Sequence, residues 1–98
     1  ADRAPGAPNL PTFREQGLPN VDALGWIAMF APAGTPPATI RLLNEAINRS
    51  LRAPAMRERL VAMGGEATGT TPEELAAIIA ADTARWRPVI KASGFTAD

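Results

Sequence analysis

The chain has 98 residues, enough for one domain at most. Ten basic and ten acidic residues cancel, so no net charge draws it to nucleic acid or to an anionic lipid surface. With no Cys and no His, disulfide scaffolds, zinc fingers, Cys–His nucleophiles and Ser–His–Asp triads are excluded.

Twenty of the apolar residues are alanine, and only eight Leu, six Ile, three Val, three Phe, three Met and two Trp are larger. A domain of this size buries only roughly 60–65% of its unfolded surface, so this supply makes a thin core. No apolar run approaches the ~20 residues of a membrane helix. Ala1–Pro8 lack the apolar stretch of a signal peptide. The chain starts on Ala rather than Met, which leads us to expect a processed product or an excised piece.

In chain order, Pro5, Pro8, Pro11 and Pro19 exclude long regular structure from the first twenty residues. A short helix fits at Thr12–Gln16, with Thr12 and Glu15 spaced as a capping box and Gly17 as its end. Val21–Ala31 reads as a strand. Trp26–Phe30 is apolar on both faces, which predicts burial on both sides.

Three helices are then expected. The first is Pro36–Leu51, capped by Thr35, with Ile40, Leu43, Ile47 and Leu51 inward and Arg41–Glu45 and Glu45–Arg49 pairs outward. The second is Pro54–Met63, with Met56, Leu60 and Met63 inward and Gly64-Gly65 closing it. Glu66–Thr68 suits a very short extended segment. The third is Pro72–Ser93, with Thr71 and Glu74 as a capping box, Gly94 as its end, and a kink or break at Pro88. Leu75, Ile78, Ile79, Asp82, Trp86, Val89 and Ile90 fall along one side of it. Asp82 is the odd member, and the sequence names no partner for it.

A single strand cannot satisfy its own backbone donors and acceptors. Nothing else in the chain is long and apolar enough to flank this one. Either a second copy supplies the partners, or the chain is part of a larger α/β protein.

Several segments bear a family likeness. Ala7-Pro8-Asn9-Leu10-Pro11-Thr12-Phe13-Arg14-Glu15-Gln16-Gly17 resembles the "PDVPTFAEAG" segment of the solute receptors of tripartite tricarboxylate transporters, the Bug family. Gly25–Pro36 resembles "GWFGLFAPAGTP" and Pro54–Leu60 followed by Met63-Gly64 resembles "PAVRERLAALG". Thr71–Leu75, Arg85-Trp86 and Val89-Ile90 are similar to the closing "TPEEFAAFI…RW…VI". Ile27-Ala28 departs from the pattern, where an aromatic and a glycine are usual.

The resemblance implies a helix-rich α/β fragment, the C-terminal third of a two-lobed periplasmic-binding-protein fold of type II-like form. One main strand, three helices and the short N-terminal helix would make it up. Residues 1–22 would be an arm from the second lobe, and residues 23–98 the hinge strand and helices returning to the first. The implied function is capture of a small carboxylate or related solute in the periplasm and delivery to membrane transporter subunits. No enzyme activity, cofactor, metal or nucleic-acid partner is implied.

Trp26 and Thr35 are the candidate substrate-binding residues. Trp26 would lie near the lobe boundary, where amphipathic aromatics suit a small-molecule cleft; its competing role is hinge packing. Thr35 precedes a helix whose free N–H groups could receive a carboxylate; its competing role is an ordinary cap. Arg49, Arg52, Arg57 and Arg59 form the one basic cluster, interrupted by Glu58 and without interleaved aromatics, which suits a solvated face. Glu73 and Glu74 suit the helix dipole better than acid–base work. As an isolated piece the chain is expected to bind no solute and to self-associate as a homodimer through the Leu24–Ala31 strand.

Overall fold

The helix ends follow from short-range chemistry, and three helices result. The computed structural model describes residues 2–21 and 23–96, with α1 at Pro37–Arg52, α2 at Pro54–Ala62 and α3 at Pro72–Ser93. At α3 the expected capping box is complete. The Glu74 N–H donates to Thr71 Oγ1 at 3.1 Å, and the Thr71 N–H donates to Glu74 Oε2 at 2.8 Å. Gly94, at φ 69°, ends the helix in the left-handed region. The helix runs through Pro88 without a break, although Pro88 has no N–H to donate to the preceding turn.

α1 begins one residue later than the sequence suggested. Pro36 precedes Pro37, and the following ring pushes Pro36 out of the helical region, to φ −56° and ψ 139°. Pro36 is therefore the N-cap, and Thr35 stands outside the helix. Ala53 serves as the C-cap of α1 and the N-cap of α2, held extended at ψ 131° ahead of Pro54. α2 ends in a Schellman motif. The Gly64 N–H donates to the Val61 carbonyl at 2.9 Å and the Gly65 N–H to the Leu60 carbonyl at 2.8 Å, with Gly64 at φ 81°. Met63 is the C-cap rather than a helical residue.

α1 and α2 pack on each other. The half-buried residues of α1 are Ile40, Asn44, Ile47, Asn48 and Leu51. Leu43 is exposed, so the inward stripe includes two asparagines that the apolar pattern missed. Asn44 Nδ2 and Asn48 Nδ2 both donate to the Thr70 carbonyl, at 2.8 and 3.0 Å, and Asn48 also donates to Asn44 Oδ1 at 3.0 Å. This pair pins the connection from α2 to α3 onto α1. Gly69, at φ 69°, lies so close to the Asn48 amide that a Cβ there would collide with its oxygen. In α2 Leu60 and Val61 are half-buried, while Met56 and Met63 are exposed. Among the described residues no ion pair joins Arg41, Glu45 and Arg49.

Two expectations for the first third are corrected. Thr12–Gln16 is a single capped turn, not a helix. Thr12 and Glu15 form their capping box, with the Thr12 N–H to Glu15 Oε2 at 2.7 Å and the Glu15 N–H to Thr12 Oγ1 at 3.2 Å. The Leu18 N–H already closes back on the Phe13 carbonyl at 2.9 Å, with Gly17 at φ 83°. Start and stop signals lie so close together that no second turn fits between them. The main strand is also missing: no strand occurs among the described residues, and Asp22, inside the expected span, lies outside them. The stretch from Ala23 to Pro32 has no regular structure, and among the described residues no backbone segment exchanges hydrogen bonds with it as a neighbouring strand would. Glu66–Thr68 likewise pairs with nothing.

None of the described residues is buried. The radius of gyration is 16.6 Å, against about 13 Å for a compact domain of this length. The accessible surface is 8355 Å², against roughly 5,400 Å² for a folded monomer of this mass. The stable features are thus local: caps, turns and the α1–α2 contact.

Two substitutions test that account. Thr71→Ala removes the side-chain half of the α3 box and is expected to cost about 1 kcal/mol in denaturant melting of the protein that carries this segment. Gly69→Ala is expected to cost at least as much, roughly 1 kcal/mol from the left-handed backbone alone, and part of that loss returns when Asn48→Ala removes the colliding amide.

Candidate functional site

The two candidate residues are engaged by different elements. Trp26 sits in the extended segment, 44% exposed. Its indole Nε1–H donates to Asp82 Oδ2 of α3 at 2.6 Å, which supplies the partner that the sequence left unnamed. Asp82 lies in the half-buried stripe of α3 formed by Pro72, Leu75, Ile79, Asp82 and Trp86, spaced by three and four. An indole has one N–H and no acceptor. While it is bonded to Asp82, it has no donor left for a solute.

Thr35 closes a turn. Its hydroxyl donates to the Pro32 carbonyl at 2.8 Å, and its N–H reaches the same oxygen at 3.2 Å. It makes no cap bond to α1. The start of α1 is also a poor anion cradle. Pro36 and Pro37 carry no N–H, and the Thr39 and Ile40 N–H groups donate to the Pro36 carbonyl at 2.9 and 3.1 Å.

The arginine cluster takes structural positions. Arg49 and Arg52 occupy the last turn of α1 and Arg59 that of α2, where cations complement the helix dipole. Arg57 Nε reaches the Leu51 carbonyl at 3.4 Å, across the junction of the two helices. Glu74 is committed to its capping box, and Glu73 shares the first turn of α3.

The proline-rich arm is held by charge. Arg3 donates to the Glu15 carboxylate through Nε at 3.1 and 3.0 Å and through Nη2 at 2.9 Å, and to the Pro8 carbonyl through Nη1 at 3.1 Å. The same carboxylate accepts the Thr12 N–H. The Arg3 hydrogen bond, then the Thr12 backbone bond, hold the Glu15 carboxyl at about 2, against 4.5 for an ordinary glutamate. The carboxylate in turn raises the Arg3 guanidinium above its usual value. Around this clasp lies an open groove of about 420 Å³, with Leu10, Phe13, Arg14, Val21 and Leu24 among its walls. A second groove of about 410 Å³ runs along α3, beside Thr83, Trp86, Arg87, Ile90 and Lys91. Arg85 lies over the Trp86 ring at 5.2 Å.

Comparison with known proteins completes the picture. Residues 1–95 match the model of the tripartite tricarboxylate transporter family receptor. A UPF0065 protein encoded between tcbD and tcbE in Pseudomonas sp. strain P51 is 40% identical over 90 residues, covering 91% of this chain and 27% of that protein. Protein BugT of Bordetella pertussis is 37% identical over 94 residues, covering 96% of this chain and 29% of its own length. A UPF0065 protein from the clcB–clcD region of Pseudomonas knackmussii is 32% identical over 88 residues, covering 89% of this chain and 52% of its own. No solved structure matches. The chain belongs to the tripartite tricarboxylate transporter receptor family. It spans under a third of the length of the first two relatives.

The clasp of the arm has a pH signature. A carboxyl held below its unfolded value stabilises the folded form fully above that value and progressively less as pH falls through the folded one. The Arg3–Glu15 tie is therefore intact at neutral pH and weakens between about 4.5 and about 2. The Glu15 carboxyl carbon, followed by NMR, should titrate near the lower limit. In Arg3→Gln its midpoint should rise but stop short of 4.5, because the Thr12 N–H still donates.

Proposed function

We propose that this chain is the C-terminal part of a periplasmic solute-binding receptor that captures a small carboxylate or related solute for a tripartite tricarboxylate transporter. The family match over residues 1–95 carries this reading. The surface supports it: roughly 3,000 Å² more is accessible than a folded monomer of this mass exposes, an amount in the range of obligate interfaces. The rest of the receptor is the natural cover for it. Leu24, Ile27, Met29 and Phe30, all well exposed, then become buried in a sheet that the missing strands complete.

In this reading residues 1–22 belong to the second lobe, and residues 23–98 carry the crossing segment and helices of the first. In the chain alone the arm rests against α2, where Gly6 lies close to the Val61 carbonyl. The receptor is a binding protein rather than an enzyme, and its lobes close because the solute binds the closed state better. Its partners are the membrane subunits that receive the solute. None of the helices is long and apolar enough to cross a membrane itself.

A second reading concerns the isolated piece. The exposed apolar run Leu24–Phe30 favours self-association, most simply as a two-fold dimer. Light scattering of the purified 98-residue chain tests it, and a stable, cooperatively unfolding monomer excludes it.

The receptor reading is tested by calorimetric titration of the whole protein and of this piece with di- and tricarboxylates, amino acids and related small acids. The whole protein is expected to saturate at micromolar solute and the piece to show no heat of binding. Saturable micromolar binding by the piece alone would place the site within these residues and end the two-lobe account.

A further inference from the structure

Asp82 is the only ionisable residue in the half-buried stripe of α3. A half-buried carboxylate gives up part of its hydration and gains from a donor placed beside it. α3 supplies no donor: Arg85, one turn on, is turned over the Trp86 ring, and no ion pair joins it to Asp82. The hydrogen bond described for this carboxylate comes from Trp26, 56 residues away in sequence. From Ala23 to Pro32, the described backbone makes no N–H bond of its own. The Trp26–Asp82 bond is thus the polar tie that seats the extended segment on the helices.

We propose that Trp26 and Asp82 form a hinge latch: positioning residues that fix the path of the crossing segment along α3, and through it the balance between open and closed lobes. The lobe-balance half of this rests on the receptor reading above; the latch itself does not. Trp26 then acts on solute affinity without touching solute. Its only donor is spent on Asp82, so a latch and a polar solute contact through that N–H are mutually exclusive. A hydrogen bond to a charged group that is made in one lobe arrangement and not in the other is worth about tenfold or more in the balance between them.

The test uses the whole receptor carrying this segment, with ¹⁵N-labelled tryptophan. Trp26→Phe keeps the ring and removes the donor, and the lost indole N–H resonance identifies Trp26, leaving Trp86 as an internal reference. Asp82→Leu removes the acceptor, and Asp82→Asn keeps an acceptor oxygen. In Asp82→Leu the Trp26 resonance is expected to move well away from its wild-type position while that of Trp86 stays. In Asp82→Asn it should move far less. Amide exchange across residues 24–31 should rise about tenfold in Trp26→Phe and in Asp82→Leu, and no further in the double variant. Solute affinity should shift about tenfold in both, with Asp82→Asn restoring most of it.

An unmoved indole resonance in Asp82→Leu overturns the latch. Loss of affinity in Trp26→Phe but not in Asp82→Leu overturns it too, and makes Trp26 a direct solute contact. A broken latch with unchanged affinity overturns its effect on the lobes. A wild-type receptor that binds no solute defeats the receptor reading instead, and the resonance and exchange measurements still decide the latch.

Discussion

A backbone outside helix and sheet still has to give its N–H and C=O groups to something, yet among the described residues no N–H from Ala23 to Pro32 donates within the chain, and of its carbonyls only that of Pro32 accepts, from Thr35. Its side chains repeat the problem, with Ile27 fully exposed and Met29 and Phe30 nearly three-quarters so. Three helices cannot repair this. A helix satisfies its own backbone and offers a neighbouring strand no ladder. That segment, the arm before it and helix faces that leave Leu42, Val89 and Ile90 exposed together account for the expanded radius, the surplus surface and the lack of any buried residue among those described. Membership of a receptor family whose first two matched relatives are more than three times as long gives this surplus a destination.

What holds in the absence of a core is chemistry of short reach. The turn after Pro11, the end of α2 and both ends of α3 each close within six residues, using a threonine–glutamate box or a left-handed glycine. Such motifs need no burial. They set where elements start and stop, and they leave open how the elements sit against one another. Three longer ties add a little tertiary order: Arg3 to Glu15, Asn44 and Asn48 to Thr70, and Trp26 to Asp82.

The same division explains what could be read from the residues. The Thr71 box, Gly64 and Gly94 were legible because all their determinants are neighbours in sequence. The start of α1 was displaced by one residue, although the Pro36-Pro37 pair held the needed signal: a residue before proline avoids the helical region. Thr35 consequently lost its role as a cap. Asn44 and Asn48 fall outside any apolar stripe, and their role depends on the Thr70 carbonyl, 26 and 22 residues further along the chain. The two-sided apolar run reads as a strand, but a strand needs a partner beside it, and none of the described residues supplies one. Asp82 stood out as misplaced among apolar neighbours. Its partner, across 56 residues of intervening chain, left no local signal.

The position of that one long-range bond matters more than its strength. A surface ion pair such as Arg3–Glu15 ties residues 12 apart within the arm and constrains the arm alone. The asparagine pair ties α1 to the loop before α3 and constrains the helices alone. Trp26–Asp82 joins the segment that follows the arm to α3, which neither of the other ties does. Because that segment leads directly into the arm, a bond there bears on the direction in which the arm leaves the helices. The loss of orientational freedom falls on the segment around Trp26, while the enthalpy comes from one N–H and one carboxylate oxygen. Burying Ile27 and Met29 in a completed sheet would add to that restraint without replacing it. Sheet pairing sets the height of the segment along the strands, whereas the indole sets its rotation against α3.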